Sequence, residues 1–174
     1  MLGTTNRRDA AALERARSAA ERVTDPELPM LTLADLGVLR DVEVAGGRVV
    51  ATITPTYTGC PAMAEMRRDL RRALLDAGFD DVEVAVSLDP SWTSDWITPE
   101  GRTALARAGI SPPGPAPKHR GPVPLTLLPT ARVVRCPQCG SAATDLVSEF
   151  GSTACKALYR CSSCQEPFDH VKEI

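Results

Sequence analysis

The sequence of 174 residues is poor in aromatic side chains, with three Phe, two Tyr and two Trp, and it holds only two histidines. It has no surplus of positive charge: 20 Lys and Arg stand against 22 Asp and Glu, a formal net charge of -2. Proteins that grip nucleic acid need a basic field and often aromatic platforms, so no nucleic-acid partner is expected. No apolar run approaches the roughly 18 residues of a membrane span, and the opening stretch MLGTTNRRDAAALERARSAAERV is charged throughout. Neither a membrane partner nor a secretory leader is expected, and the expected location is cytoplasmic. Also missing are a Glu-x-x-His pair for a di-iron carboxylate site, a Gly-rich dinucleotide fingerprint and a hydrolytic Ser/His/Asp grouping. What remains is a chain 43% apolar, enough for a packed core.

Two residue types are plentiful and unevenly placed. Seven of the fifteen prolines lie between Pro112 and Pro129, which predicts an extended, semi-stiff linker over 111–130. Five of the six cysteines lie beyond it. The expected division is a domain over 1–110, the linker, and a mini-domain over 131–174.

The front domain reads as α+β. Ala10, Leu13, Ala16, Ala20 and Val23 recur at helical spacing and predict a first helix, stopped by Asp25-Pro26-Glu27-Leu28-Pro29. Val38 to Val44 and Arg48 to Thr54 flank Ala45-Gly46-Gly47 and predict a hairpin. Pro61 to Gly78 carries an apolar stripe through Met66, Leu70 and Leu74 and predicts a second helix. Val82, Val84, Val86 and Leu88 alternate as a strand, and Thr98-Pro99-Glu100 opens a last helix that ends at Gly109. The order α-β-β-α-β-α fits a small helix-on-sheet layer.

Cys136-Pro137-Gln138-Cys139 and Cys161-Ser162-Ser163-Cys164 are two C-x2-C knuckles 21 residues apart, each preceded by a strand-like run, Ala131 to Arg135 and Lys156 to Arg160. Two thiolates three positions apart on a tight turn can share one ion, and two such turns complete a tetrahedral site. The expected mini-domain is a four-cysteine, zinc-ribbon-like β fold whose metal supplies much of its folding free energy. Zinc is the preferred ion; iron or an iron-sulfur cluster is the alternative. Cys155 is either a fifth thiol beside the site or a bystander, and His170 is a weaker candidate still.

Cys60 stands alone in Pro55-Thr56-Tyr57-Thr58-Gly59-Cys60-Pro61, between an expected strand and an expected helix. A helix N-terminus favours a thiolate there, and Gly59 lets a ligand approach. The bland reading is a small apolar cysteine in a turn. Asp25 and Glu27 either bring carboxylates near that thiol or merely make a turn. Arg67, Arg68, Arg71 and Arg72 form either a solvated helix face or a docking surface for an acidic partner. Trp92 and Trp96 are either core or interface.

Asp25-Pro26-Glu27, Thr56-Tyr57-Thr58-Gly59-Cys60-Pro61, Trp92-Thr93-Ser94-Asp95-Trp96-Ile97 and the run Phe150 to Cys161 together resemble the PaaD family, a subunit of the multicomponent phenylacetyl-CoA epoxidase system. The front half is similar to the SufT-type iron-sulfur assembly domain. The resemblance implies an accessory subunit without catalysis of its own, which matures or maintains the iron-containing components. It implies other epoxidase components and iron-sulfur assembly proteins as partners. It gives Cys60 the role of reactive or cluster-contacting thiol, with Asp25 and Glu27 nearby. The competing expectations are a structural or electron-relaying subunit and, less favoured, a nucleic-acid-binding zinc ribbon.

Overall fold

A computed structural model describes residues 7–57, 59–116 and 133–174. Residues 117–132, which take in most of the linker expected over 111–130, lie outside the described residues. The described chain forms two compact units. One runs through Trp92 and takes in Trp96–Gly101; the other comprises Thr93–Asp95 and Arg102–Ile174.

In the first unit, helix α1 spans Arg7–Ala20 and buries Ala16, Ala19 and Ala20. It ends earlier than the periodicity predicts, because Val23, though buried, belongs to the following turn, where the Thr24–Thr32 bridge requires extended backbone. Strands β1 (Leu39–Ala45) and β2 (Arg48–Ile53) form the expected antiparallel hairpin. Its two-residue turn has φ of 59° at Gly46 and 86° at Gly47. A primed hairpin turn needs positive φ at both places, which only glycine adopts freely.

Helix α2 spans Met63–Asp76 and buries Met66, Leu70 and Leu74 at four-residue intervals. Strand β3 (Asp81–Val86) then returns parallel to β2, paired without interruption from Arg48–Asp81 to Ile53–Val86. A parallel pair needs a crossover, and α2 supplies it. The sheet order is β1-β2-β3. Helix α1 packs on β1 and α2, and α2 packs on β3. The inward residues Val42, Val49, Ala51, Ile53, Val82 and Val84 are all buried. Each fully buried Leu, Ile or Val contributes about 1.5–3 kcal/mol of hydrophobic stabilisation, so this small sheet and two helices form a core without a staple.

The tryptophans divide. Trp92 is core, its indole N–H donating to the Leu36 carbonyl at 2.9 Å. Trp96 is half-buried, with the Arg40 guanidinium 3.5 Å above its ring. Helix α3 spans Pro99–Arg107. Thr98 caps it by accepting the Gly101 N–H at 3.0 Å, with Pro99 at the first helical position.

In the second unit, β4 (Thr144–Ser148), β5 (Lys156–Cys161) and β6 (Pro167–Val171) form an antiparallel sheet in that order. Ser111 adds a one-residue parallel bridge to His170 on β6: its N–H donates to Asp169 at 2.8 Å, and its carbonyl accepts from Val171 at 3.0 Å. Val134, Cys136, Cys161 and Phe168 make a small buried cluster flanked by Tyr159 and Cys164. Two of those four buried residues are cysteines, so the apolar core alone is too thin for independent stability.

Candidate metal centre

The two C-x2-C knuckles close with the same backbone pattern. In the first, the Cys136 N–H donates to Ser141 and its carbonyl accepts from Gly140, each at 2.9 Å. In the second, the Cys161 N–H donates to Glu166 at 3.0 Å and its carbonyl accepts from Gln165 at 2.9 Å. The fourth residue after the leading cysteine is left-handed in both, Gly140 at φ 74° and Gln165 at φ 66°. The hydroxyls of Ser141 and Ser163 meet at 2.8 Å and tie one knuckle to the other.

This arrangement brings the four thiols together. Cys136 Sγ lies 3.7 Å from Cys164 Sγ, and Cys139 Sγ 3.6 Å from Cys161 Sγ. All four sulfurs fall within 4.8 Å of one another. Zinc–sulfur bonds of about 2.3 Å in a tetrahedron place neighbouring sulfurs about 3.8 Å apart, so the donor set fits one four-coordinate ion. Cys136 and Cys161 are buried, Cys164 is half-buried and Cys139 is exposed.

Knuckle amides point at the sulfurs. The Cys164 N–H approaches Cys161 Sγ at 3.5 Å. Backbone hydrogen bonds from Cys164 and, against burial, from Ser163 hold the Cys161 thiol down at about 6. The Glu166 amide favours ionised Cys164, but burial and hydrogen bonding to Cys161, Cys139 and Cys136 outweigh it and push that thiol up to about 12. Four converging thiolates repel one another, and a bound cation removes that penalty.

The structure places the other candidates elsewhere. The strand-like run before the first knuckle is not a strand at residues 133–135, and 131–132 lie outside the described residues. The Val134 carbonyl is occupied by the Thr144 hydroxyl at 2.7 Å, and the strand, β4, follows the knuckle instead. Cys155 does not join the four sulfurs: it precedes β5 at the end opposite Cys161, its Sγ 3.0 Å from Thr153 Oγ1. Six residue steps along the strand separate the two, about 20 Å at 3.3 Å each. His170 is buried and engaged away from the thiols, Nδ1 facing the Ser111 carbonyl at 3.2 Å and Nε2 facing Glu173 Oε1 at 3.4 Å. The Gly114 N–H also donates to Glu173 Oε1, at 2.9 Å. Sequence reasoning missed this clasp, because its members are 59 residues apart along the chain.

Cys60 lies half-buried in the turn before α2, its N–H donating to the Tyr57 carbonyl at 3.3 Å and its carbonyl accepting from Met63 at 3.3 Å. Gly59 beside it has φ 96°, with open space where a Cβ would project. Asp25 is buried, and its Oδ1 accepts the N–H groups of Glu27 at 2.9 Å and Leu28 at 2.8 Å. Among the described residues, the ribbon cysteines are the group of three or more Cys, His, Asp or Glu side chains gathered closely enough for a metal ion; Asp25, Glu27 and Cys60 form no such group.

Residues 120–172 match the PaaD zinc beta ribbon domain, and residues 13–86 match the iron-sulfur cluster assembly protein family. The chain is 49% identical over 153 residues to a "Putative 1,2-phenylacetyl-CoA epoxidase" component of Escherichia coli (strain K12), covering 88% of each. The chain belongs to the PaaD family. The family resemblance read from its motifs is borne out. The front half of this PaaD-family chain is also 33% identical over 97 residues to the Fe-S protein maturation auxiliary factor YitW of Bacillus subtilis (strain 168), covering 55% of this chain and 94% of that one. The crystal structure of a DUF59 domain from Bacillus anthracis superposes on 56% of the chain and 94% of its own, with a TM-score of 0.51 and 26% identity. The α+β reading of the front domain agrees with that neighbour. No helix among the described residues is long and apolar enough to cross a membrane.

Proposed function

We propose that this PaaD-family chain is an accessory subunit of a phenylacetyl-CoA epoxidase system, acting in phenylacetate catabolism by helping to fill or maintain iron or iron-sulfur centres of the oxygenase components. The observation that carries this reading is the union in one chain of an iron-sulfur assembly domain over 13–86 and a PaaD ribbon over 120–172. Its support is the relation to both an epoxidase component and a maturation factor. Iron or sulfide is cargo here, not a resident cofactor. Cys60 is the contact thiol, placed between β2 and α2 where backbone amides at a helix start favour a thiolate. Asp25 and Glu27 belong to the same unit, where the Asp25 carboxylate holds the turn after α1 by accepting the Glu27 and Leu28 N–H groups. The ribbon holds one structural zinc on Cys136, Cys139, Cys161 and Cys164, and contacts the other epoxidase components and iron-sulfur assembly proteins. The chain works in the cytoplasm.

Cys60→Ser tests the reading. The variant should keep its fold and ribbon metal yet leave oxygenase components underfilled with iron in cells. Fully loaded, active epoxidase from a Cys60→Ser background would reject it. A four-sulfur site also suits rubredoxin-type iron, which would make the chain an electron relay. Metal analysis and an absorption spectrum of anaerobically purified protein separate the two: one colourless zinc per chain supports the maturation role, and a visible band that bleaches on reduction supports the relay.

A further inference from the structure

The two edges of the front sheet differ. Strand β1 is blunted by an irregularity between Leu39 and Asp41, one of the usual protections against edge pairing. Strand β3 has none. It is paired to β2 without a shift, contains neither Pro nor Gly, and among the described residues no strand pairs with its outer side. The Ser87 N–H points inward to the Ile53 carbonyl at 2.9 Å, so the alternation turns the N–H and C=O groups of Val82, Val84 and Val86 outward. The Val82 carbonyl confirms the direction, because the Arg71 guanidinium caps it from α2.

Along this edge runs a groove of about 730 Å³ lined by Arg48, Arg67, Arg68, Arg71, Asp81 and Glu83, among others. Its two carboxylates do not neutralise its four arginines. Glu83 is taken by Arg48, Asp81 also acts on Arg48, and Arg68 is shared with Glu65 at 3.3 Å. Among the described residues Arg67 has no ion-pair partner, and Arg71 spends its guanidinium on a carbonyl. A net positive groove, with Arg67 and Arg71 outside any ion pair among the described residues, therefore flanks a strand edge with open backbone groups at Val84 and Val86. Val86 and Leu88 are also exposed, at 43% and 57%.

We propose that the outer edge of β3 docks an extended acidic segment of a partner protein by strand addition, with Arg67, Arg68 and Arg71 reading its carboxylates. Main-chain pairing at Val84 and Val86 supplies affinity, and the arginines select an acidic sequence. The proposal does not depend on Cys60 or on the ribbon metal.

The test uses the metal-loaded full chain and a fluorescein-labelled peptide of alternating glutamate and valine, read by anisotropy. Binding is expected for this peptide and not for its lysine-valine counterpart, with slower amide exchange at Val84 and Val86 in the complex. Arg67→Glu with Arg68→Glu should weaken binding by about tenfold or more, since like charge then faces like charge. Val84→Pro removes an outward N–H while sparing the β2 ladder, a place where edge strands tolerate proline, and should cost as much. If Val84→Pro perturbs the far-ultraviolet spectrum, Val86→Pro at the strand end takes its place. Equal binding of an acidic peptide interrupted by prolines, undiminished binding in the arginine variant, or tighter arginine-dependent binding of a single-stranded oligonucleotide would each overturn the proposal.

Discussion

Gln165 occupies in the second knuckle the backbone place that Gly140 occupies in the first: φ is 66° and 74°, and each N–H donates to the carbonyl of its knuckle's leading cysteine. The left-handed region costs a residue with a Cβ about 1–2 kcal/mol, and Gln165 recovers part of that through its Nε2 donating to the Ser162 carbonyl at 2.8 Å. Gly140 is exposed with open space around it, so its glycine serves conformation, not room. Gly140→Val should cost about 2 kcal/mol and speed metal loss to a chelator. Gln165→Gly should stay within about 1 kcal/mol of wild type, because relief of strain is offset by a looser unfolded chain and the lost side-chain hydrogen bond. Denaturant titration and a metal-release assay check both.

Metal removal should act on one unit only. The ribbon cluster is Val134, Cys136, Cys161 and Phe168, and two of its members are ligands, whereas α1, α2 and the front sheet bury their own aliphatic core. Metal binding in such small domains is folding free energy. Chelation should therefore expose 133–174 to protease while helical circular dichroism persists. Cooperative loss of both signals on chelation would contradict the division.

Asp25 carries a structural duty that can be separated from any role of its charge. Its Oδ1 accepts two backbone N–H groups, from Glu27 and Leu28, in a buried turn. Removing the acceptor leaves both donors orphaned, so Asp25→Ala should cost about 1–3 kcal/mol. Asp25→Asn keeps an acceptor oxygen and should cost about 1 kcal/mol or less. If Asp25→Asn folds as wild type yet leaves the oxygenase underfilled with iron in cells, the carboxylate's charge serves delivery; normal iron filling would confine Asp25 to the turn.

The legible parts of this fold are those where a local rule leaves few alternatives. Gly46-Gly47 between β-branched runs could only be a tight hairpin, the spacing of Met66, Leu70 and Leu74 could only be a helix face, and equal C-x2-C pairs could only converge. Partners distant in sequence were not legible. Nothing in Ser111 announces a bridge to His170, and nothing in Asp81–Val86 says that it pairs parallel to β2 instead of antiparallel to β1. Strand β4 was missed because Thr144–Ser148 has its three middle residues exposed and so shows no alternation. Gln165 was missed because glutamine is not a turn signal; only the knuckle's closure imposes its left-handed backbone.

Gly37 and Trp96 define a tight contact in the front unit. Gly37 has φ 68°, and a Cβ there would stand 2.5 Å from the Trp96 Cβ and 2.8 Å from its carbonyl oxygen. Both the conformation and the space exclude any larger residue. Gly37→Ala combines left-handed strain with overpacking and should cost about 2–4 kcal/mol. Trp96→Gly, which removes the opposing Cβ, should recover only part of it in the double variant, because the Trp96 carbonyl remains in the way. Thermal denaturation of the two single variants and the double variant reads the coupling.

The clasp on β6 sets an acid limit for the second unit. Burial alone would raise the Glu173 carboxyl, but the adjacent His170 ring and the hydrogen bond from the Gly114 amide outweigh it and hold it at about 2, against an ordinary 4.5. A carboxylate whose folded pKa lies below its unfolded one binds fewer protons in the native state between those values, so its stabilisation is complete above pH about 4.5 and is lost as pH falls toward about 2. Solvent screening at this edge reduces the full linkage value to about 1–2 kcal/mol. Glu173→Gln removes the charge but leaves an oxygen for the Gly114 N–H, so it isolates the ionised form. Wild type should exceed Glu173→Gln by that amount near neutral pH, and the gap should close through the acid window. Protonation of the ribbon thiols also releases metal in acid, but it affects both proteins alike and drops out of the difference. A gap that is constant from neutral pH to the acid end would show that the carboxylate's charge is not what holds Gly114 and His170 to the end of the chain.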